Sequence, residues 1–268
     1  MLKWEDMMTK GYGTEKNYSQ SELEYIVKNN KYWRVRLEAV YNITNESVLE
    51  YVVKNDSDRN VRLEAIKKIS DESVLGYVVK NDSEGNVRLE AIKKISDESV
   101  LGYVVKNDED SNNREEAVNM IKNESILMDI IKNTSDLNVC MIAINKIGIK
   151  KIKDENVLIC IINKVSDWNI RFEAVRNITD SSVLADVVKN DSCWKIRRMV
   201  VRKIKDNYVL GYVVKNDFNE EIRRLAIKKI DDEYILRDIF KNSSDKKMQK
   251  AARKRLKQLG YKLENLIN

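Results

Sequence analysis

Histidine and proline are both absent from the 268 residues, glycine occurs eight times and cysteine three times. Without histidine the commonest general base is missing, and with it the Ser-His-Asp and Cys-His arrangements and ordinary zinc catalysis. Without proline and with little glycine, the connections must be short and turned by Asn, Asp and Ser. Cys140, Cys160 and Cys193 are odd in number and lack CxxC spacing, so they read as buried thiols rather than as a disulfide framework or a zinc knuckle. No apolar run approaches the ~18 residues of a membrane span, and the opening MLKWEDMMTKGYG is too charged for a secretory leader. The expected location is the cytoplasm, with no membrane partner. What is present is 43% hydrophobic and 34% charged, enough apolar material for a folded core. Charge is uneven: residues 1–138 sum to about −6 and 139–268 to about +12, a cue for an anionic partner.

One passage is present twice. VRLEAIKKISDESVLGYVVKND runs from Val61 to Asp82 and again, unchanged, from Val87 to Asp108. An active site needs chemically distinct groups around one cavity, whereas verbatim copies suit a surface lengthened by modules. Related units start at Val35, Val61, Val87, Asn113, Val139, Ile170, Ile196, Ile222 and Met248, with a period of about 26 and one longer step of about 31 after Val139. A half repeat precedes the first. The expected organisation is an N-terminal cap at 1–20 and one repeat array over 21–268, with a seam at 147–157 and a C-terminal cap at 248–268.

Each unit holds two segments. SVLGYVVKN, Ser73 to Asn81, ends in a Lys-Asn pair that suits a helix terminus: the cation meets the negative end, and Asn tolerates the left-handed conformation. In VRLEAIKKI, steps of 100° from Val87 place Val87, Ala91, Ile95, Ile92 and Leu89 on one arc, with Glu90, Lys93 and Lys94 opposite. This is a helix with a broad buried face, preceded by polar N-cap candidates. Two short helices cannot bury their apolar faces alone, so the repeats must stack. The predicted fold is all-α: a right-handed α-solenoid of about eight to nine two-helix repeats.

On that wheel Arg88 falls inside the apolar arc, where a guanidinium must be paired. An aspartate stands six residues upstream in several units, as Asp56 before Arg62, Asp82 before Arg88, Asp108 before Arg114, Asp191 before Arg197 and Asp217 before Arg223. The expectation is a structural ladder of these Asp–Arg pairs. The pattern D-x-x-x-x-V-R-x-x-A, carried by Asp56, Val61, Arg62 and Ala65 and by Asp82, Val87, Arg88 and Ala91, resembles HEAT-like repeats. Asp191, Ile196, Arg197 and Val200 follow it with Val in place of Ala. The runs at Trp33-Arg34-Val35-Arg36, Trp168-Asn169-Ile170-Arg171 and Trp194-Lys195-Ile196-Arg197 are similar to the short bacterial and archaeal form. Thr134 and Cys140 depart from the Asp and Arg of the pattern, as do Ser243 and Gln249.

Two sets of surface residues are candidates. The outward arc of the late second helices carries Arg198 and Arg202, Arg224 and Lys228, Lys250 and Lys254, reinforced by Lys203, Lys229, Arg255 and Lys257, while the glutamate of earlier units becomes Met199, Leu225 and Ala251. This reads either as a solvated, lysine-rich face or as a strip for an anionic partner. Trp33, Trp168 and Trp194 share the first position of the second helix, where they either stack on the adjacent turn or serve as aromatic anchors. The resemblance implies a non-enzymatic protein-interaction scaffold without a cofactor, binding through its concave surface an unidentified protein, acidic in character. The second implied reading is binding of DNA or RNA backbone by the basic half, as in HEAT-like alkylpurine DNA glycosylases. Such a glycosylase or a HEAT-like bilin lyase is the enzymatic alternative.

Overall fold

The computed structural model describes residues 18–261, and all regular structure among them is helical: eighteen α-helices and one 3-10 turn. They alternate as first and second members of nine repeats. The first four pairs are α1 Gln20–Asn29 with α2 Trp33–Asn42, α3 Glu46–Asn55 with α4 Arg59–Lys68, α5 Glu72–Asn81 with α6 Gly85–Ile92, and α7 Glu98–Asn107 with α8 Ser111–Met120. The fifth is α9 Glu124–Asn133 with α10 Leu137–Ile147. Then follow α11 Glu155–Lys164 with α12 Trp168–Asn177, α13 Ser181–Asn190 with α14 Trp194–Lys203, α15 Asn207–Asn216 with α16 Glu220–Lys229, and α17 Glu233–Asn242 with α18 Lys246–Gln258.

The chain packs as two compact units, Met1–Ile126 and Leu127–Asn268, so the division falls within α9. In the first unit the second helices α2, α4, α6 and α8 pack in succession, as do the first helices α1, α3, α5 and α7. In the second unit α12, α14, α16 and α18 form one row and α13, α15 and α17 the other. The expected N-terminal cap lies, except for residues 18–20, outside the described residues, as do 262–268 of the C-terminal cap. The longer step lies inside the second unit. There Gly148, at φ 83°, ends α10, and the 3-10 turn Ile149–Lys151 carries the chain to α11. A positive φ of this kind favours glycine over any residue with a Cβ.

Sequence dictates these short helices through their ends and their inner stripes. Asp71, Asp97, Asp154, Asp180 and Asp206 cap first helices, and Asp58, Asp110, Asp136 and Asp167 cap second helices, each carboxylate accepting a backbone N–H two or three residues on. Inward, Val87, Ala91 and Ile92 of α6 are fully buried, with Ile95 just beyond its end. Each such aliphatic side chain larger than alanine contributes about 1.5–3 kcal/mol by leaving water.

The closing Lys-Asn pairs work differently from the expectation. Among the described residues no non-glycine takes a positive φ. Instead the terminal asparagine folds back, and its Nδ2 donates to the carbonyl four residues earlier: Asn55 to Tyr51, Asn81 to Tyr77, Asn107 to Tyr103 and Asn216 to Tyr212, at 2.7–2.9 Å. The side chain is thereby tied back onto the last turns of the helix without a left-handed residue.

Candidate functional site

The buried arginines form a ladder, and its rungs join neighbouring repeats. Arg62 does not hold the carboxylate of Asp56 in its own repeat. Its Nε and Nη2 donate to Asp82, at 2.7 and 2.9 Å, while Nη1 donates to the backbone carbonyl of Asp56 at 3.0 Å. The same fork recurs from Arg36 to Asp56, Arg88 to Asp108, Arg171 to Asp191 and Arg197 to Asp217. Thus the aspartate six residues upstream contributes its main chain, and the carboxylate comes from the following repeat, twenty residues on. Arg114 keeps the main-chain bond, to Asp108 O at 2.9 Å. In the second unit Arg223 reaches Asp245 at 3.1 Å, because Ser243 stands at the usual aspartate position. Six residues matched the turn in sequence, but the guanidinium points across the stack, where a bidentate partner closes the junction.

A second ladder is built from lysines that the helical wheel puts in solvent. Lys68 Nζ donates to Val40 O, Tyr41 O and Ile43 O at the end of α2, and Lys94 donates to Ile66 O, Lys67 O and Ile69 O at the end of α4. Lys203 and Lys229 do the same for the ends of α12 and α14. An ammonium group with three donors fits three orphan carbonyls at the negative pole of a helix. Burial pulls Lys94, Lys203 and Lys229 below the usual lysine range. In the irregular repeat Lys164, on first helix α11, caps first helix α9 through Ile131 O, Lys132 O and Thr134 O.

This removes Lys203 and Lys229 from the basic strip, since their charge is spent on backbone carbonyls. The remaining candidates sit together on adjacent helices of the second unit: Arg198 and Arg202 on α14, Arg224 and Lys228 on α16, Lys250 and Lys254 on α18. Arg198 is half-buried and the others are exposed. Arg224 donates to Glu220 at 2.8 Å, and Lys247 meets the other oxygen of the same carboxylate. The other five strip cations have no carboxylate within salt-bridge distance among the described residues. Met199, Leu225 and Ala251 are half-buried at the places where α2, α4 and α6 carry Glu38, Glu64 and Glu90.

The tryptophans do occupy the first residue of α2, α12 and α14. Trp33 belongs to the first unit, where Arg34 lies over its ring at 5.4 Å. In the second unit Trp168 meets Phe172 edge-on at 6.5 Å and carries Lys195 of the next repeat over its ring at 4.3 Å. Trp194 is 41% exposed, and Phe218, in the turn before α16, is 98% exposed. Cys140 is buried, which pushes its thiol up, and Cys160 and Cys193 are half-buried; all three are free.

Paired short helices, stacked with a buried Arg–Asp fork between neighbouring repeats, are similar to HEAT-like repeats. No protein-family model matches the chain, and no curated protein matches it. Among solved structures, an archaeal HEAT-like repeats protein from Thermococcus onnurineus NA1 aligns at 14% identity over 94% of this chain and 100% of its own, with a TM-score of 0.22. A structure titled as a computational design of self-assembling cyclic protein homooligomers aligns at 13% identity over 90% and 88%, with a TM-score of 0.12. Among the described residues no helix is long and apolar enough to cross a membrane, and no group of three or more His, Cys, Asp and Glu residues could hold a metal.

Proposed function

We propose that this HEAT-like array is a non-enzymatic binding scaffold whose second unit docks an acidic protein segment on the outward face of α14, α16 and α18. The observation that carries the reading is the strip itself. Three adjacent helices present two columns of cations, and the glutamate that balances such cations in α4 and α6 is replaced by Met199, Leu225 and Ala251. Cations bordering half-buried apolar side chains match a protein partner that offers both carboxylates and apolar anchors. A nucleic-acid backbone is the second reading, favoured by the cation columns alone.

The two are separated by titrating the chain with polyglutamate and with a duplex oligonucleotide over a range of salt. Reversal of Arg198, Arg202, Lys228 and Lys254 to glutamate is expected to abolish polyglutamate binding while the helical signal is unchanged. Oligonucleotide binding at about 50 mM salt with a steep salt slope, and no binding of polyglutamate, would favour the second reading. No binding of either, or binding indifferent to the reversal, contradicts both.

A further inference from the structure

The first helices of the first unit carry a feature that the basic strip does not involve. α1, α3, α5 and α7 put a tyrosine at the same position: Tyr25, Tyr51, Tyr77 and Tyr103, with 61, 41, 42 and 42% of their surface exposed. A lysine of each repeat lies over the ring of the next, Lys28 over Tyr51 at 5.0 Å, Lys54 over Tyr77 at 4.9 Å and Lys80 over Tyr103 at 5.3 Å. This column was hidden in the sequence, because Tyr77 falls in the apolar run VLGYVV and reads as core.

Between the helices lie three equivalent clefts of about 220, 190 and 210 Å³. The middle one is walled by Lys54, Asn55, Tyr77 and Asn81 over the Arg62–Asp82 rung, and the other two repeat this lining 26 residues away on either side. The rung is satisfied, so it serves as floor. What faces a ligand is the half-exposed ring, its hydroxyl and the amide of the asparagine. None of the hydroxyls of Tyr51, Tyr77 and Tyr103 has a hydrogen-bond partner among the described residues.

The spacing selects the ligand. Packed helices lie about 8–10 Å apart, and a column carried by successive first helices is expected to repeat at about that distance. A β-strand presents the same face about every 6.6 Å and an α-helix about every 5.4 Å. A polyproline II segment has three residues per turn at 3.1 Å, so it returns the same face about every 9.3 Å, one turn per repeat. It also has no internal hydrogen bonds, which leaves its carbonyls free to accept from tyrosine and asparagine, and its prolyl rings lie flat on aromatic walls. This chain contains no proline, so the occupant is another polypeptide.

Charge adds a requirement. Lys28 and Lys54 are paired with Glu24 and Glu50 four residues earlier, at 2.6 Å each. In the next two repeats Gly76 and Gly102 stand at the glutamate position; Lys80 keeps only a longer-range attraction to the Asp97 carboxylate, and Lys106 has no carboxylate within salt-bridge distance among the described residues. We infer that the tyrosine column of the first unit binds an acidic, proline-rich segment in the polyproline II conformation, one turn per cleft.

The test uses the full chain and three labelled probes of about 15 residues or nucleotides: (Pro-Pro-Glu)5, (Gly-Ser-Glu)5 of equal charge, and oligouridine. The expected result is that (Pro-Pro-Glu)5 binds at least about tenfold more tightly than (Gly-Ser-Glu)5. Tyr77→Ala with Tyr103→Ala should weaken it by a further factor of about ten, and Tyr212→Ala, in the second unit, should leave it unchanged. Tyr77→Phe with Tyr103→Phe, which keeps the rings and so the packing, should show a smaller loss. Equal binding of the two peptides, retention by the alanine pair, preference for oligouridine, or no binding at millimolar peptide would each overturn the inference. Only a change confined to the strip variants of the second unit would bear on the scaffold reading instead.

Discussion

Replacing Asp82 with alanine removes one carboxylate and should destabilise the first unit by about 3 kcal/mol, the lower end for breaking a buried pair. The figure follows from what is stranded. The Arg62 side chain is 11% exposed and loses the bonds from Nε and Nη2, keeping only Asp56 O. The backbone N–H of Glu84, which donates to the same carboxylate at 2.9 Å, is orphaned as well. Water at the cleft rim recovers part of the loss, which holds the cost near the lower bound. The decisive assay is a double-mutant cycle by urea unfolding, followed by the helical signal. Arg62→Met with Asp82→Ala should give a coupling of about 2 kcal/mol or more, because the second change no longer strands a charge. Arg62→Met with Asp56→Ala should couple by less than about 0.5 kcal/mol, since the Asp56 carboxylate belongs to Arg36. Strong coupling of Arg62 to Asp56 and none to Asp82 would refute the inter-repeat ladder and restore pairing within the repeat.

Four further outcomes follow from particular contacts. Asn113→Val should change the stability of the first unit by less than about 1 kcal/mol in the same unfolding assay: Asn113 is 1% exposed and its Oδ1 has no partner, but the gain from removing that orphan is offset by losing the bonds from its Nδ2 to Gly85 O and the Asp108 carboxylate. Lys94→Met should cost about 1–2 kcal/mol by orphaning the carbonyls of Lys67 and Ile69 and taking one of two bonds from Ile66 O, while Lys93→Met, at an exposed site, should change stability by less than about 0.5 kcal/mol. Gly76→Ala should raise the melting temperature, since a Cβ there meets nothing within 4 Å, and Gly211→Ala should lower it, since its Cβ would stand 2.9 Å from Ile235 Cγ2.

The fourth outcome concerns acid. Burial alone would raise the Asp108 carboxyl, but bonds from Arg88, Asp110 N–H and Asn113 outweigh it and hold the group below the usual range. The caps Asp71, Asp97 and Asp180 are lowered too, chiefly by the following serine hydroxyls and backbone N–H groups. A carboxyl whose folded value is depressed contributes stability above its unfolded value near 3.9 and loses it as pH falls through the folded value. The melting temperature should therefore be flat from about pH 7 to 5 and fall below about pH 4; a rise on acidification would contradict these assignments.

How much of this was legible in sequence depended on whether one helix or two supplied the answer. The helix pairs, the Asp caps and the burial of Arg62 and Arg88 follow from periodicity within a single segment, and all are found. The partner of each arginine was misplaced because a wheel has no neighbours: the carboxylate arrives from the next repeat, a relation that spacing of twenty residues expresses only once the stack is known. Lys68, Lys94, Lys203 and Lys229 were assigned to solvent for the same reason, since the helix ends they cap belong to other repeats. The tyrosine column failed on chemistry rather than geometry. An aromatic within VLGYVV satisfies the apolar pattern whether its ring faces core or water, and the lysine that covers it lies one repeat away. Of the residues grouped as a basic strip, Arg198, Arg202, Arg224, Lys228, Lys250 and Lys254 lie on three adjacent helices, while Lys203 and Lys229 cap helix ends.

The scaffold reading stands most directly on what the second unit holds in its own cell. Affinity purification from the native host, with nuclease treatment, should recover a protein in stoichiometric amount that is lost when Arg198, Arg202, Lys228 and Lys254 are reversed to glutamate. Recovery of that protein by the folded reversal variant, or a bound fraction that vanishes with nuclease alone, would contradict it.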